Sequence, residues 1–336
     1  MNHAELFATG YQYPTSDFTI PKPDCPFPVK LNKYFTRAHE HTIAWVGKFG
    51  LVAPGSPQAR RFPEAEFARL AALTHPEIDV EDLKLATDWH SWLFVHDDVC
   101  DDSNIGRHAS KQQAMDRPLL ALLRGEANPD PEFPLSAALG DILQRIIART
   151  EPRWVQRFVT HVEQYLSSNV WEARNRQKGV PPALDDYMTM RRYTGAVLSC
   201  FDLILMVEDL APEGCSWVGD RLVGELETKA NHHICWINDL FGLRKEIREK
   251  NVNNLVLVLQ YRDGCDLQTA VSLAIDLCNE EIRSFADLVE KQAVSSTDSP
   301  TTETKALARY IEGMKSWMSG HIAWYQHTGR YLPRAS

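Results

Sequence analysis

From about residue 35 to residue 327, apolar side chains recur at the three- and four-residue spacing of a helix, with no convincing run of strand-like alternation. A chain patterned in this way can hide its apolar stripes only by packing helix on helix, so the fold class is all-α, a helical bundle. The pattern predicts helices over roughly 35–50, 63–74, 79–101, 109–124, 135–149, 152–177, 185–208, 216–249, 251–261, 266–293 and 303–327. Breakers fall between them: Pro54-Gly55-Ser56-Pro57, Asn128-Pro129-Asp130-Pro131, Gly179-Val180-Pro181-Pro182, and the polar run from Ser295 to Thr304, which has the composition of a disordered loop. Residues 1–33 carry Pro21, Pro23, Pro26 and Pro28, which deny them a continuous helix. They are expected as an N-terminal strap over a single helical domain at 34–336, because no linker or internal repeat divides the rest.

Composition narrows the function. With 44% apolar residues the chain can bury a substantial core, and its formal charge of −9 leaves no basic face broad enough for nucleic acid. No stretch approaches the ~20 apolar residues of a membrane span, and the N-terminus lacks a signal-peptide pattern, so a cytoplasmic protein is expected. The seven cysteines, at 25, 100, 200, 215, 235, 265 and 278, lack the paired spacings of zinc sites and read as structural thiols. Cys100 lies within an acidic motif, but a soft thiol suits packing better than a hard cation. A homodimer is left open.

Two acidic constellations stand out. In Trp89-His-Ser-Trp-Leu-Phe-Val-His-Asp97-Asp98-Val-Cys-Asp101-Asp102, an apolar helix runs into four carboxylates within six residues. Asp97 and Asp101 share a helix face, where like charges repel by roughly 0.2–0.5 kcal/mol per exposed pair. A hard cation such as Mg²⁺ removes that penalty, since it takes carboxylate oxygens together with water and phosphate. In Trp236-Ile-Asn238-Asp239-Leu-Phe-Gly242-Leu-Arg-Lys245-Glu246, Asn238 and Glu246 return to one face after two turns, roughly 12 Å apart along the axis, with Gly242 between them. Taken singly, the first is equally a solvated helix end and the second an ordinary amphipathic helix. As a pair they are far more specific, because opposed helices offering oxygen ligands are a known way to build a metal site in a helical protein.

Asp97-Asp98-x-x-Asp101 resembles the aspartate-rich motif of class I terpene synthases, and Asn238 to Glu246 resembles their N-D-x-x-S-x-x-x-E motif. Cys25-Pro-Phe-Pro, Asn32 and Trp45 to Leu51 are similar to the strap and first helix of microbial members. Arg192 stands 46 residues before Asn238, where they place the arginine that senses diphosphate, and Gly320, Trp324, Arg330 and Tyr331 match their C-terminal signatures. The chain departs from the pattern at Gly242, where Ser or Thr is usual, so a water would complete that metal's shell. It departs again at Gly195, where many bacterial relatives have Asp, although Gly195 still permits a helix break.

The resemblance implies a class I terpenoid synthase fold with its cavity between central helices. It implies three Mg²⁺ ions held by Asp97, Asp101, Asn238 and Glu246, with Asp98 behind them. Arg192, Lys245, Arg330 and Tyr331 would bind the diphosphate, Arg192 and Tyr331 taking part in catalysis, and the tail would close over the mouth. Leu93, Phe94 and Trp324 would line the pocket. Trp89, Trp92 and Trp236 read as core, and His90 and His96 as packing or capping residues. The expected reaction is ionisation of a linear isoprenoid diphosphate, farnesyl diphosphate by chain size, then carbocation rearrangement and release of a terpene hydrocarbon or alcohol with pyrophosphate. The alternatives are a chain-elongating prenyl diphosphate synthase and a non-catalytic helical adaptor.

Overall fold

In the computed structural model, which describes residues 11–102, 104–210, 217–295 and 301–331, every regular element is a helix. These are α1 Phe35–Lys48, α2 Pro57–Ala65, α3 Phe67–Thr74, α4 Val80–Asp102, α5 Ala109–Leu123, α6 Pro134–Ile147, α7 Pro152–Lys178, α8 Leu184–Thr194, α9 Val197–Val207, α10 Arg221–Glu249, α11 Leu255–Asp263, α12 Leu267–Ser295 and α13 Thr302–Tyr325. None is long and apolar enough to cross a membrane.

Several expectations are corrected. The breaker at Pro54–Pro57 is the start of a helix, α2. Pro57 takes its first turn, where no N–H is needed, and the Ser56 hydroxyl accepts from the Ala59 N–H at 3.0 Å. The single helix expected over 185–208 is broken into α8 and α9. A Cβ on Gly195 would stand 2.3 Å from Cys235 Sγ, so close approach to α10 requires glycine there. The left-handed residue at the kink is Ala196, with φ 55°. Residues 251–254 are not helical; the last of them, Asn254, caps α11 by accepting from the Val256 N–H with its side chain. The polar run ends in order: Thr301 caps α13 by accepting from Thr304 N–H at 3.2 Å. Residues 296–300 and Cys215 lie outside the described residues.

The architecture follows from which stripes are buried. α4 is covered by α1, α3 and α6, while α10 packs along α12 and against α8 and α13. α9 touches both α4 and α10 from one side, and α13 joins α3 to α10 on the other. Trp89, Trp92 and Trp236 are fully buried, the first two stacked at 5.3 Å, so they are core as expected. From Tyr11 onward the N-terminal segment runs without helix over α11 and α12. Tyr11 donates to Gln260, the Thr19 N–H to Gln268 and the Asp24 N–H to Asn279. Asn32 is buried and donates to the carbonyls of His75 and Ile78, fixing the turn between α3 and α4. The six described cysteines are free.

Candidate active site

A cavity opens between α4 and α10, with the α8–α9 kink and α13 as its side walls, enclosing about 660 Å³ including its mouth. Leu93 and Phe94 stand on its wall one turn below Asp97, and Asn238 faces in from α10. Asp97 is partly open at the mouth. Loss of water, and then the charge of Asp101, push its carboxyl up to about 7. An arriving cation would relieve this strain.

The arginine that faces the cavity is Arg191, not Arg192. Arg191 donates to Asn238 Oδ1 at 2.9 Å and to Thr194 Oγ1 at 3.2 Å, and pairs with buried Asp239 at 2.8 Å. Asp239 also accepts from Tyr187 and from the Leu255 N–H, so one carboxylate fixes the arginine and the start of α11. Arg192 points elsewhere and donates to Thr228 Oγ1 at 3.2 Å. The expected register is off by one residue, and one residue is about 100° of helix rotation.

Asp101 lies one turn beyond Asp97 and is already enclosed by donors. Lys245 Nζ reaches it at 3.0 Å, Arg176 at 3.3 Å and Asn251 Nδ2 at 3.3 Å. Burial raises its carboxyl, yet the charges of Lys245 and Arg176 overcome this and hold it below the usual range. Lys245 also pairs with Glu249 at 3.0 Å, so Asp101 and Lys245 tie α4 to α10 rather than face the cavity. Glu246 accepts from Asn254 Nδ2 at 2.8 Å, and its other oxygen lies 2.8 Å from where a Cβ on Gly242 would stand. Burial, and next the neighbouring Asp239, hold the Glu246 carboxyl well above its ordinary value. The missing side chain at 242 is thus space that Glu246 uses.

The C-terminal tail covers the mouth. Arg330 pairs with Asp97 at 2.9 Å and with Asp98 at 2.9 Å, its guanidinium 4.7 Å from the centre of the Phe94 ring. Tyr331 and Tyr325 accept from Asn238 Nδ2 at 3.2 and 2.7 Å, so the tail bridges both motif helices. The tail rests on α2: the Gly329 N–H donates to Glu64 O and Thr328 Oγ1 to Ala65 O. Trp324, expected on the cavity wall, stands behind it. Its ring packs on Phe94 at 5.5 Å and its N–H donates to Ala65 O at 3.0 Å.

His96 packs as expected. It bridges Tyr165 and Asp116, and although burial opposes its charge, Cys100 and Asp116 push it up to about 10. His90 does not only pack, because it also lines the cavity. Sequence reasoning missed Arg191, Arg176, His90 and the Asn251–Asn254 amides. Only the last left a signal: three Asn in four residues after a helix favour side chain-to-backbone bonding over a further helical turn.

The oxygens of Asp97, Asn238 and Glu246 are hard donors suited to a hard divalent cation. Among the described residues no three His, Cys, Asp or Glu side chains converge into an all-protein cage. A cation that uses one or two carboxylates and completes its shell with phosphate and water does not need one. The family model described as terpene synthase family 2, C-terminal metal binding, matches residues 88–284, which contain both motifs and the kink. The chain is 33% identical to the farnesyl diphosphate-cyclising (+)-T-muurolol synthase of Roseiflexus castenholzii, over 92% of each chain. It is 32% identical to germacrene A synthase of Nostoc punctiforme, over 91% of this chain and 93% of that one. The crystal structure of germacradien-4-ol synthase from Streptomyces citricolor superposes with a TM-score of 0.79 at 27% identity, covering 92% of this chain and 99% of that one. An all-helical body with its cavity between two oxygen-bearing helices, and relatives spanning nearly the whole chain, lead to one conclusion: this chain belongs to the family 2 terpene synthases and is a metal-dependent class I terpene cyclase of the microbial type.

Proposed function

We propose that the chain converts farnesyl diphosphate to a cyclic terpene and pyrophosphate with Mg²⁺, three ions being expected, as one catalytic unit acting in the cytoplasm. The observation that carries this reading is the meeting of Asp97, Asn238 and Arg191 on one cavity whose wall includes Leu93 and Phe94. Asp97 would hold metal from α4, and Asn238 with Glu246 from α10. Bound there, the metal supplies Lewis-acid charge to the departing diphosphate. Arg191 would grip phosphate oxygens through its planar fork, and its bonds to Asp239 pre-orient it for that work. Lys245 and Arg330 are close enough to the aspartates to add positive charge, and Tyr331 offers a hydroxyl beside Asn238. The tail excludes water before ionisation, and Leu93 and Phe94 form part of the wall against which the cation folds.

The relative from Roseiflexus castenholzii is a farnesyl diphosphate-cyclising synthase, which favours cyclisation over chain elongation. Geranyl, farnesyl and geranylgeranyl diphosphates, supplied separately with Mg²⁺, test the reading. The expected result is pyrophosphate and a cyclic product from farnesyl diphosphate, abolished by chelator and by Asp97→Ala with Asn238→Ala. Undiminished turnover by that folded double variant would overturn it.

A further inference from the structure

The deep end of the cavity does not match its walls. His90 of α4 and Trp317 and His321 of α13 line it. Both nitrogens of His90, Nδ1 of His321 and Nε1 of Trp317 are buried and find no hydrogen-bond partner among the described residues. Trp317 stands edge-on to His90 at 5.0 Å, and His75 stacks behind His90 at 6.2 Å with both of its nitrogens also unpaired. A wall whose only task is to shape a hydrocarbon would be served by Phe or Leu at these positions. Instead, imidazoles and an indole gather donors and a bare acceptor at one place. Burial keeps His90 neutral and holds His321 down to about 3, so each retains a lone-pair nitrogen. Such a polar set inside an apolar cavity has the two to four partners that a buried water needs.

We propose that His90, Trp317 and His321 hold a water molecule that ends the reaction by attacking the cyclised carbocation, so that the product is a cyclic terpene alcohol; this rests on the cyclase reading above. A lone pair of the water oxygen forms the new C–O bond. One O–H bond then breaks, its electrons staying on oxygen, and the proton passes to the free nitrogen of His90. A protonated alcohol is a far stronger acid than even a buried imidazolium, so His90 accepts it, and the proton returns to solvent when the tail opens for product release. Position supports the timing. His90 lies seven residues before Asp97, about 10 Å deeper along α4, so the nucleophile sits away from the freshly ionised carbon and meets the cation only after the chain has folded back.

The test uses the full chain with Mg²⁺ and farnesyl diphosphate in ¹⁸O-labelled water, with products read by mass spectrometry alongside pyrophosphate release. A cyclic alcohol carrying one ¹⁸O is expected. His90→Phe and His321→Phe, measured separately, should each lower the ratio of cyclic alcohol to hydrocarbon at least tenfold. If neither variant folds, Trp317→Phe, which removes the unpaired indole N–H, is read in the same way. Pyrophosphate released with an unlabelled hydrocarbon as sole product overturns the water site and leaves the cyclase reading intact. A labelled cyclic alcohol whose ratio is unchanged in both folded variants also overturns it. Absence of pyrophosphate from every prenyl diphosphate would remove the cyclase reading first, and this inference with it.

Discussion

Arg191 and Arg192 are neighbours in the chain, yet they end on different sides of α8. Arg191 is clamped by Asp239 and Asn238, while Arg192 lies against Thr228 at the outer side of α10. If the clamped guanidinium meets the diphosphate, Arg191→Ala should slow pyrophosphate release by about a hundredfold or more, in the range seen on removing one donor from a charge-stabilising site. Arg192→Ala should change it less than about threefold, and steady-state kinetics on the two variants will show whether this ordering holds. Gly242 gives a second residue-scale prediction. A serine there would push Glu246 from the space beside the Gly242 Cα and weaken its bond to Asn254, while adding a hydroxyl ligand. The Mg²⁺ concentration for half-maximal turnover of Gly242→Ser should therefore fall severalfold; an unchanged or raised value would count against a metal at Glu246. The motif letters were readable because oxygen ligands need particular side chains. Which of two adjacent arginines turns inward was not, because a one-residue register in a helix is fixed by partners such as Asp239 that are distant in space from the pattern itself.

At the scale of elements, the kink between α8 and α9 and the seat of the tail decide the cavity's shape. Gly195→Ala would place a methyl 2.3 Å from Cys235 Sγ, so overpacking should cost about 1–3 kcal/mol. Cys235→Ala alone would leave a small void, but joined to Gly195→Ala it should recover much of the loss. A double-mutant cycle of urea denaturation measures that coupling, and additivity would mean that the two groups do not meet. The tail's footing is testable in the same spirit. Thr328→Val removes the bond to Ala65 O and an acceptor for the Arg330 N–H, so Arg330 and Tyr331 should close less firmly. Uncyclised alcohol from early hydrolysis should rise severalfold in the product mixture, with little change in melting temperature. Helix existence was legible from periodicity alone for most of the bundle. α2 was hidden, because Pro57 ends one pattern and begins another, and a proline at the first turn reads as a breaker until its neighbours' caps are seen.

At the scale of the whole molecule, the bundle buries several imidazoles whose nitrogens find no partner among the described residues. Burial pulls His75 down to about 4 and His233 to about 3, and both lack partners for their nitrogens. In the unfolded chain each would titrate near 6.5. Between that value and the folded values the unfolded state binds more protons, so stability must rise with pH across this window and fall as the solution is acidified. The contribution is complete above about pH 6.5 and is lost progressively towards pH 3–4. Asp97 and Glu246, whose carboxyls the fold holds up, act in the opposite sense over the same window, so the histidine contribution is read as the difference in denaturant midpoint between pH 7 and pH 5 in the parent chain and in histidine variants. His75→Phe, which cannot titrate, should lose less stability than the parent chain on going from pH 7 to pH 5. His96, held up to about 10, acts in the opposite sense and contributes no slope below pH 6, because it is charged in both states there. A pH dependence unchanged in both His75→Phe and His233→Phe would show that neither imidazole contributes to it. The imidazole-lined side of the bundle would then carry no proton-linked penalty.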